Sequence, residues 1–140
     1  MKHSKTAIGH LGKHYERGKD ESSEYVKFGN PEIDPQRTHL NYNLAPQHNH
    51  MEFIKQRLSE VYCLNRKDVN VMCSWVVTAP KDLDPKQQDD FFKESYKFLE
   101  NRYGKENVIS SYVHLDETTP HMHFAFIPVV YDKKKDRYKV

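Results

Sequence analysis

The sequence is poor in cysteine, glycine and apolar residues. Its 140 residues include two cysteines, five glycines and one tryptophan, and only 36% of them are hydrophobic. The mean hydropathy is −0.94. No apolar run approaches the roughly 18 residues of a membrane span, and no apolar segment of a secretory signal stands out near the start. We therefore expect neither a membrane span nor a secretory signal.

The two cysteines stand alone. Cys63 and Cys73 do not have the close spacing of a chelating pair, and they lie far in sequence from the histidine-rich segment described below. Two unpaired cysteines are typical of a protein in a reducing compartment. This predicts a cytoplasmic protein without a disulfide framework.

An excess of charge of one sign is also missing. The net charge is +2, from 22 basic and 20 acidic residues, so a basic surface must arise from the distribution of charge. Basic residues cluster near the two ends, and the ordinary interpretation of such runs is a solvated surface. The aromatic content of 12% is too high for a disordered chain. The length suits one domain with a real core.

Hydrophobic periodicity predicts a mixed α+β fold. We expect a short helix or turn over 7–17, a polar loop over 18–36 and an extended segment over 38–44. A helix is predicted over 50–62 and another from Asp84-Pro85 to Gly104. Strands are predicted over 71–78, 108–115 and 121–130, with a further one beginning at Arg137. The expected architecture is a central antiparallel sheet with helices on one face and a bare opposite face.

The most informative segment is the string His114-Leu-Asp-Glu-Thr-Thr-Pro-His-Met-His123. His121 and His123 are two apart on a predicted strand, so both side chains point to the same face. His114 ends the preceding strand, and a tight antiparallel connection would bring it beside the pair. Three imidazoles with two carboxylates on the loop above predict a divalent-metal site on the open face, with positions left for water or a phosphate.

Two other interpretations of this segment are open. The histidines could belong to a half-buried strand with one wet face and bind no metal. The site could also be a closed structural zinc site, although such sites usually have four protein ligands, often cysteines.

Three segments of the chain resemble the MobV/Pre family of plasmid mobilisation relaxases, which belong to the HUH endonucleases. They are His114 to Pro128, His14-Tyr-Glu-Arg17 and Arg37-Thr-His-Leu-Asn-Tyr42. The resemblance runs from about Ala7 to Val129. It implies a nuclease domain over 1–140, and the short flanks are consistent with a core trimmed at both ends. It also implies a central strand that carries the histidine pair, and a divalent ion, Mn²⁺ or Mg²⁺, that polarises a scissile phosphate of single-stranded DNA at a transfer origin.

The resemblance also implies roles for individual residues. His114, His121 and His123 match the metal ligands, and Glu117 matches an acid beside the metal and the nucleophile. His14 matches a histidine nucleophile that forms a covalent 5′-phosphoryl adduct and leaves a free 3′-hydroxyl. Arg17 matches a basic residue three positions later. Tyr15, which directly follows His14, is the alternative nucleophile.

Several residues are candidates for DNA contacts. They are Lys13, Arg17, Arg37, Asn41 and Tyr42. For Asn41 a turn-forming role is an equally good interpretation. Three other functions are open for the chain: a hydrolytic metallo-nuclease or phosphoesterase without a covalent intermediate, a non-catalytic single-stranded DNA-binding module, and a structural-zinc protein.

Overall fold

The computed structural model of the chain describes residues 1–4, 15 and 33–140. Within these residues the strands are β1 (Lys2–Ser4), β2 (Tyr42–Asn43), β3 (Asn70–Thr78), β4 (Val108–His114), β5 (His121–Phe126), β6 (Val130–Asp132) and β7 (Arg137–Lys139). The helices are α1 (His50–Glu60) and α2 (Gln88–Tyr103), with short 3₁₀ turns at Thr38–Leu40, Pro85–Gln87 and Lys105–Asn107. The segments predicted over 7–17 and 18–36 lie largely outside the described residues.

The first five strands form one antiparallel sheet in the order β1-β3-β5-β4-β2. The strand that carries the histidine pair, β5, is therefore central, between β3 and β4. In the β4–β5 register, His114 is directly opposite His121, and Tyr112 is opposite His123. The predicted α+β class with a central antiparallel sheet is confirmed.

The two faces of the sheet differ in chemistry. On one side, which we call the phenylalanine face, Met122, Phe124 and Phe126 pack with Phe92 and Leu99 of α2. The alternate residues of β5 point to the other side, the histidine face, as the period of two in a strand requires. His121 and His123 occupy one end of this face, and Ala125 lies in the core at the other end.

The histidine face is not bare, which corrects the prediction that helices cover one face alone. Ile54 of α1 packs on this side with Ile109, Ala125 and Ile127. The reason is that the apolar stripe of β5 continues beyond the histidines and has to be covered. Helix α1 covers the apolar end, and the histidines lie toward the other end of the strand.

Local signals fix the helix ends. The side chain of Asn49 accepts a hydrogen bond from the amide of Glu52 at 3.0 Å and caps α1. This helix ends at Glu60 rather than at residue 62 as predicted, because the backbone of Tyr62 bonds instead to Tyr138 and Val140. The side chain of Asp84 caps the turn before α2.

Gly104 ends α2 with a φ of 95°, a conformation that favours glycine. A Cβ at this position would lie 2.8 Å from Oε1 of Glu106 and 3.0 Å from Nδ2 of Asn107. We expect Gly104→Ala to lower the free energy of unfolding by about 1–3 kcal/mol. Urea denaturation measures this loss. The control is Lys105→Ala at the next, exposed position, and an equal loss in both variants would contradict the backbone explanation.

Candidate metal centre

Three histidine side chains meet at the end of the histidine face where the β4–β5 loop begins. Three ring nitrogens, one from each histidine, lie within 4.8 Å of one another. The histidines are His114, His121 and His123. The three rings are buried, with 0%, 8% and 9% of their residue surface exposed. The structure thus brings together the three residues predicted as metal ligands.

Main-chain carbonyls orient two of these rings. Nε2 of His114 lies 2.7 Å from the carbonyl oxygen of Tyr15, and Nδ1 of His121 lies 2.8 Å from that of Thr119. A carbonyl only accepts, so each of these nitrogens carries the hydrogen and donates it. In the neutral ring the other nitrogen, Nδ1 of His114 and Nε2 of His121, then keeps its lone pair. Fixing the tautomer through the far nitrogen is the usual way in which metal-binding histidines are held.

Glu117 lies beside the lone-pair nitrogen of His121. Its Oε2 is 3.7 Å from Nε2 of His121, and its side chain is 14% exposed. An ionised carboxylate and an imidazole lone pair are both electron-rich, so a cation near them satisfies both groups. Three imidazoles, with a carboxylate beside one of them, fit a divalent first-row metal ion.

The loop that carries Glu117 is hydrogen-bonded to the segment before β2. Arg37 donates from Nη2 to the carbonyl oxygen of Glu117 at 3.0 Å and forms an ion pair with Asp34. Asp116 is fully buried, and its carboxylate accepts a hydrogen bond from the hydroxyl of Thr38 at 2.9 Å. No role was predicted for Thr38, because nothing local in the sequence links it to a residue 78 positions away.

We expect Thr38→Val to destabilise the protein by about 1–3 kcal/mol. The substitution keeps the shape of the side chain and removes a hydrogen-bond donor from a buried carboxylate. Thr38→Ser retains the hydroxyl and is the matched control. Thermal denaturation compares the three proteins, and a valine variant as stable as the wild type would show that the Thr38–Asp116 bond contributes nothing.

Tyr15 is part of the core under the histidines. Its residue surface is 3% exposed, and its ring stacks on that of His123 with centroids 4.6 Å apart. Burial raises the pKa of its phenol above the ordinary value. Tyr15 therefore contributes a carbonyl to His114 and an aromatic face to His123.

The other candidate residues lie in different places. Asn41 holds the end of β4, since its side-chain oxygen accepts from the amide of Leu115 at 2.7 Å. Tyr42 lies on the phenylalanine face, away from the histidines, and its hydroxyl donates to Asp89 of α2. Burial and then the Asp89 carboxylate raise the pKa of the Tyr42 hydroxyl. His14, Lys13 and Arg17 lie outside the described residues. Arg37 lies at the loop beside the site.

Comparison with known proteins places the chain among plasmid recombination enzymes. The model of the Mob_Pre family, described as plasmid recombination enzyme, matches residues 1–140. A plasmid recombination enzyme type 1 of Staphylococcus aureus is 38% identical over 118 residues, which is 78% of this chain and 29% of that protein. One from Streptococcus agalactiae is 35% identical over 137 residues, 89% of this chain and 26% of that protein. The chain thus spans less than a third of the length of these relatives.

Solved structures agree. The MobM relaxase domain bound to plasmid pMV158 oriT DNA, in a Mn-bound crystal structure at pH 6.8, superposes with a TM-score of 0.79 and 31% identity, over 97% of this chain and 73% of that one. A second Mn-bound MobM complex, at pH 5.5, gives a TM-score of 0.77 and 33% identity over 95% and 70% of the two chains. The resemblance predicted from the His114–Pro128 string is confirmed, and the chain belongs to the Mob_Pre family of plasmid recombination enzymes.

Proposed function

We propose that this chain is the nuclease domain of a relaxase, which nicks single-stranded DNA at a plasmid transfer origin for conjugative mobilisation or plasmid recombination. The observation that carries the proposal is the cluster of three buried histidines, with Glu117 beside His121. The Mn-bound oriT complexes of MobM support it. Cys63 and Cys73 are free thiols, which supports a cytoplasmic setting.

We infer that His114, His121 and His123 hold the metal ion, with Glu117 beside them. Mn²⁺ suits this set better than Mg²⁺, because Mg²⁺ prefers oxygen ligands and keeps several waters. When bound, the ion supplies a Lewis acid that withdraws charge from a phosphate oxygen. No helix within the described residues is both long and apolar enough to cross a bilayer.

The strand-breaking step is assigned to His14. A neutral imidazole is available at pH 7, since its unperturbed pKa is about 6.5. One ring nitrogen attacks phosphorus while the bond from phosphorus to the 3′ oxygen breaks. The imidazole loses its N–H proton, and the leaving 3′ oxygen takes one up. The products are a 5′-phosphoryl-histidine adduct and a free 3′-hydroxyl, so the bond energy is kept for rejoining the strand.

The position of Tyr15 supports this assignment. His14 precedes Tyr15 in the chain, and the carbonyl of Tyr15 is bonded to His114. The ring of Tyr15 is 3% exposed and stacks on that of His123, so the phenol of the alternative nucleophile belongs to the core. Glu117 is the group proposed to orient the His14 ring and to stabilise the positive charge that develops on it. Lys13, Arg17 and Arg37 are proposed to hold phosphates, and Asn41 is proposed as a further DNA contact.

The test uses a labelled, randomised single-stranded DNA pool with the protein and Mn²⁺. We expect DNA linked to protein on a denaturing gel, a free 3′-hydroxyl on the released strand, and no product after chelation of the metal. Sequencing the captured DNA gives the target.

Other outcomes identify the alternatives. Cleavage with free 5′-phosphates and no linked protein would indicate a hydrolytic nuclease. Binding without cleavage, with or without metal, would indicate a DNA-binding module. Loss of the fold on chelation would indicate a structural zinc site.

A further inference from the structure

The hairpin of β6 and β7 concentrates positive charge at a place unconnected with the histidine cluster. Residues 130–139 contain five basic side chains, Lys133, Lys134, Lys135, Arg137 and Lys139, and two acidic ones, Asp132 and Asp136, which gives a net charge of +3. The whole chain has a net charge of +2. One hairpin therefore carries the entire positive excess of the protein.

Both carboxylates of the hairpin are occupied within it. Asp132 accepts from the amides of Lys134 and Lys135 and forms an ion pair with Lys139 at 3.5 Å. Asp136 accepts a hydrogen bond from the hydroxyl of Tyr131. Within the part of the chain that the structure describes, the ammonium groups of Lys133, Lys134 and Lys135 form no ion pair and stand exposed in the turn.

The hairpin also presents an aromatic face. Tyr131 and Tyr138 are paired across the strands, with ring centroids 5.1 Å apart, and they are 48% and 58% exposed. The ribbon is fixed to the body of the protein through its opposite face and through one edge. The guanidinium of Arg137 lies 3.6 Å from the centroid of the Tyr62 ring, and the backbone of Tyr62 bonds to Tyr138 and Val140.

Exposed tyrosines next to exposed lysines match the chemistry of single-stranded nucleic acid. Lysines bind its phosphates, and unpaired bases stack on exposed aromatic rings. Duplex DNA offers the phosphates but keeps its bases stacked on one another. An anchored ribbon binds at a lower entropic cost than a loop that has to be ordered.

We propose that the β6–β7 hairpin is a second DNA-binding surface, which holds single-stranded DNA through Lys133, Lys134 and Lys135 and through the rings of Tyr131 and Tyr138. It begins beyond the end of β5 opposite to His121, roughly 20 Å from the histidines at the rise of a strand. It would thus bind the same strand several nucleotides away from the cleaved bond. The proposal rests on the proposed function for the identity of the polymer.

The test measures how binding of labelled oligothymidylate, about 25 nucleotides long, depends on salt, by fluorescence anisotropy with the metal chelated. The variant is Lys133→Ala/Lys134→Ala/Lys135→Ala. Its matched control is Lys93→Ala/Lys97→Ala/Lys105→Ala, which removes the same charge from exposed positions elsewhere.

Each phosphate contact contributes about 0.7 to the slope of log affinity against log salt. Between about 50 and 200 mM salt, the wild type should therefore lose roughly 15- to 20-fold more affinity than the hairpin variant. The control variant should keep the wild-type slope. Tyr138→Leu should weaken binding roughly fivefold or more even at high salt, since it removes a stacking surface.

Equal slopes for the hairpin variant and the wild type would overturn the proposal, as would an equal change in the control variant. Competition by duplex DNA as effective as by single-stranded DNA would overturn the single-strand assignment. A measurement on the wild-type protein does not depend on the folding of the variants. Oligothymidylate should slow the chemical acetylation of Lys133–Lys135. An acetylation rate that is the same with and without oligothymidylate would also refute the site.

Failure of this proposal is distinguishable from failure of the proposed function. If the wild type forms covalent adducts and the hairpin variant binds DNA like the wild type, only the hairpin assignment fails. If the hairpin variant loses salt-dependent binding while the wild type forms no adduct, the relaxase assignment fails and the hairpin surface stands.

Discussion

Substitution of His14 by alanine is expected to abolish the covalent protein–DNA adduct, whereas Tyr15→Phe is expected to retain most of it. The phenol of Tyr15 belongs to the core under the histidine cluster, 3% exposed and stacked on His123. A buried phenol with a reference pKa near 10 needs a base and an exit from the core to attack phosphorus, whereas a neutral imidazole attacks through its lone pair and needs no base. Tyr15→Phe keeps the ring that packs on His123 and removes the hydroxyl alone.

Adduct yield on a denaturing gel measures the outcome, and the stability of the adduct provides an independent measurement. A phosphoramidate formed by histidine is lost in mild acid and is comparatively stable to base, whereas a phosphodiester to a phenol survives acid better. We expect the wild-type adduct to be acid-labile. An acid-stable adduct that persists in His14→Ala and disappears in Tyr15→Phe would transfer the chemistry to the phenol.

Divalent metal is expected to raise the melting temperature of the wild type, and His121→Ala/His123→Ala is expected to remove the shift completely. A ligand that binds only the folded state at 100 times its Kd adds about 2.7 kcal/mol of stability. Three imidazoles should bind Ni²⁺ and Zn²⁺ more tightly than Mn²⁺, and Mn²⁺ more tightly than Mg²⁺.

Thermal denaturation with each metal chloride measures these shifts. His39→Ala is the matched control, because His39 is an exposed histidine in the turn before β2. Its shift should equal that of the wild type. Identical melting curves with and without saturating Mn²⁺, Zn²⁺ and Ni²⁺ would rule out a metal site at the three histidines.

The local part of this site could be predicted from the sequence. The alternation of β5 placed His121 and His123 on one face because side chains in a strand repeat every two residues. The short connection from His114 to His121 made an antiparallel pair the simplest path, and the register puts these two residues directly opposite each other. These features depend on neighbours in sequence, where periodicity carries information.

The non-local part could not be predicted. The bond between Thr38 and Asp116 joins residues 78 apart, and the pairing of β1 with β3 joins Lys2 to Cys73. Such contacts are selected by packing of the whole chain and leave no periodic pattern. The predicted β5 was also too long, and here the reason is local: the strand ends at Phe126, two residues before Pro128, and proline has no N–H to donate to a neighbouring strand.

The use of main-chain carbonyls at the site has a consequence for how this protein can vary. The acceptors that orient His114 and His121 belong to the backbone of Tyr15 and Thr119. A substitution at residue 119 removes a side chain but leaves the carbonyl in place, so the path of the chain encodes the orientation of the imidazoles. Different amino acids at residue 119 should therefore be tolerated as long as the turn keeps its backbone conformation. An insertion or deletion between Thr119 and His121 would move this carbonyl away from the His121 ring without altering any ligand.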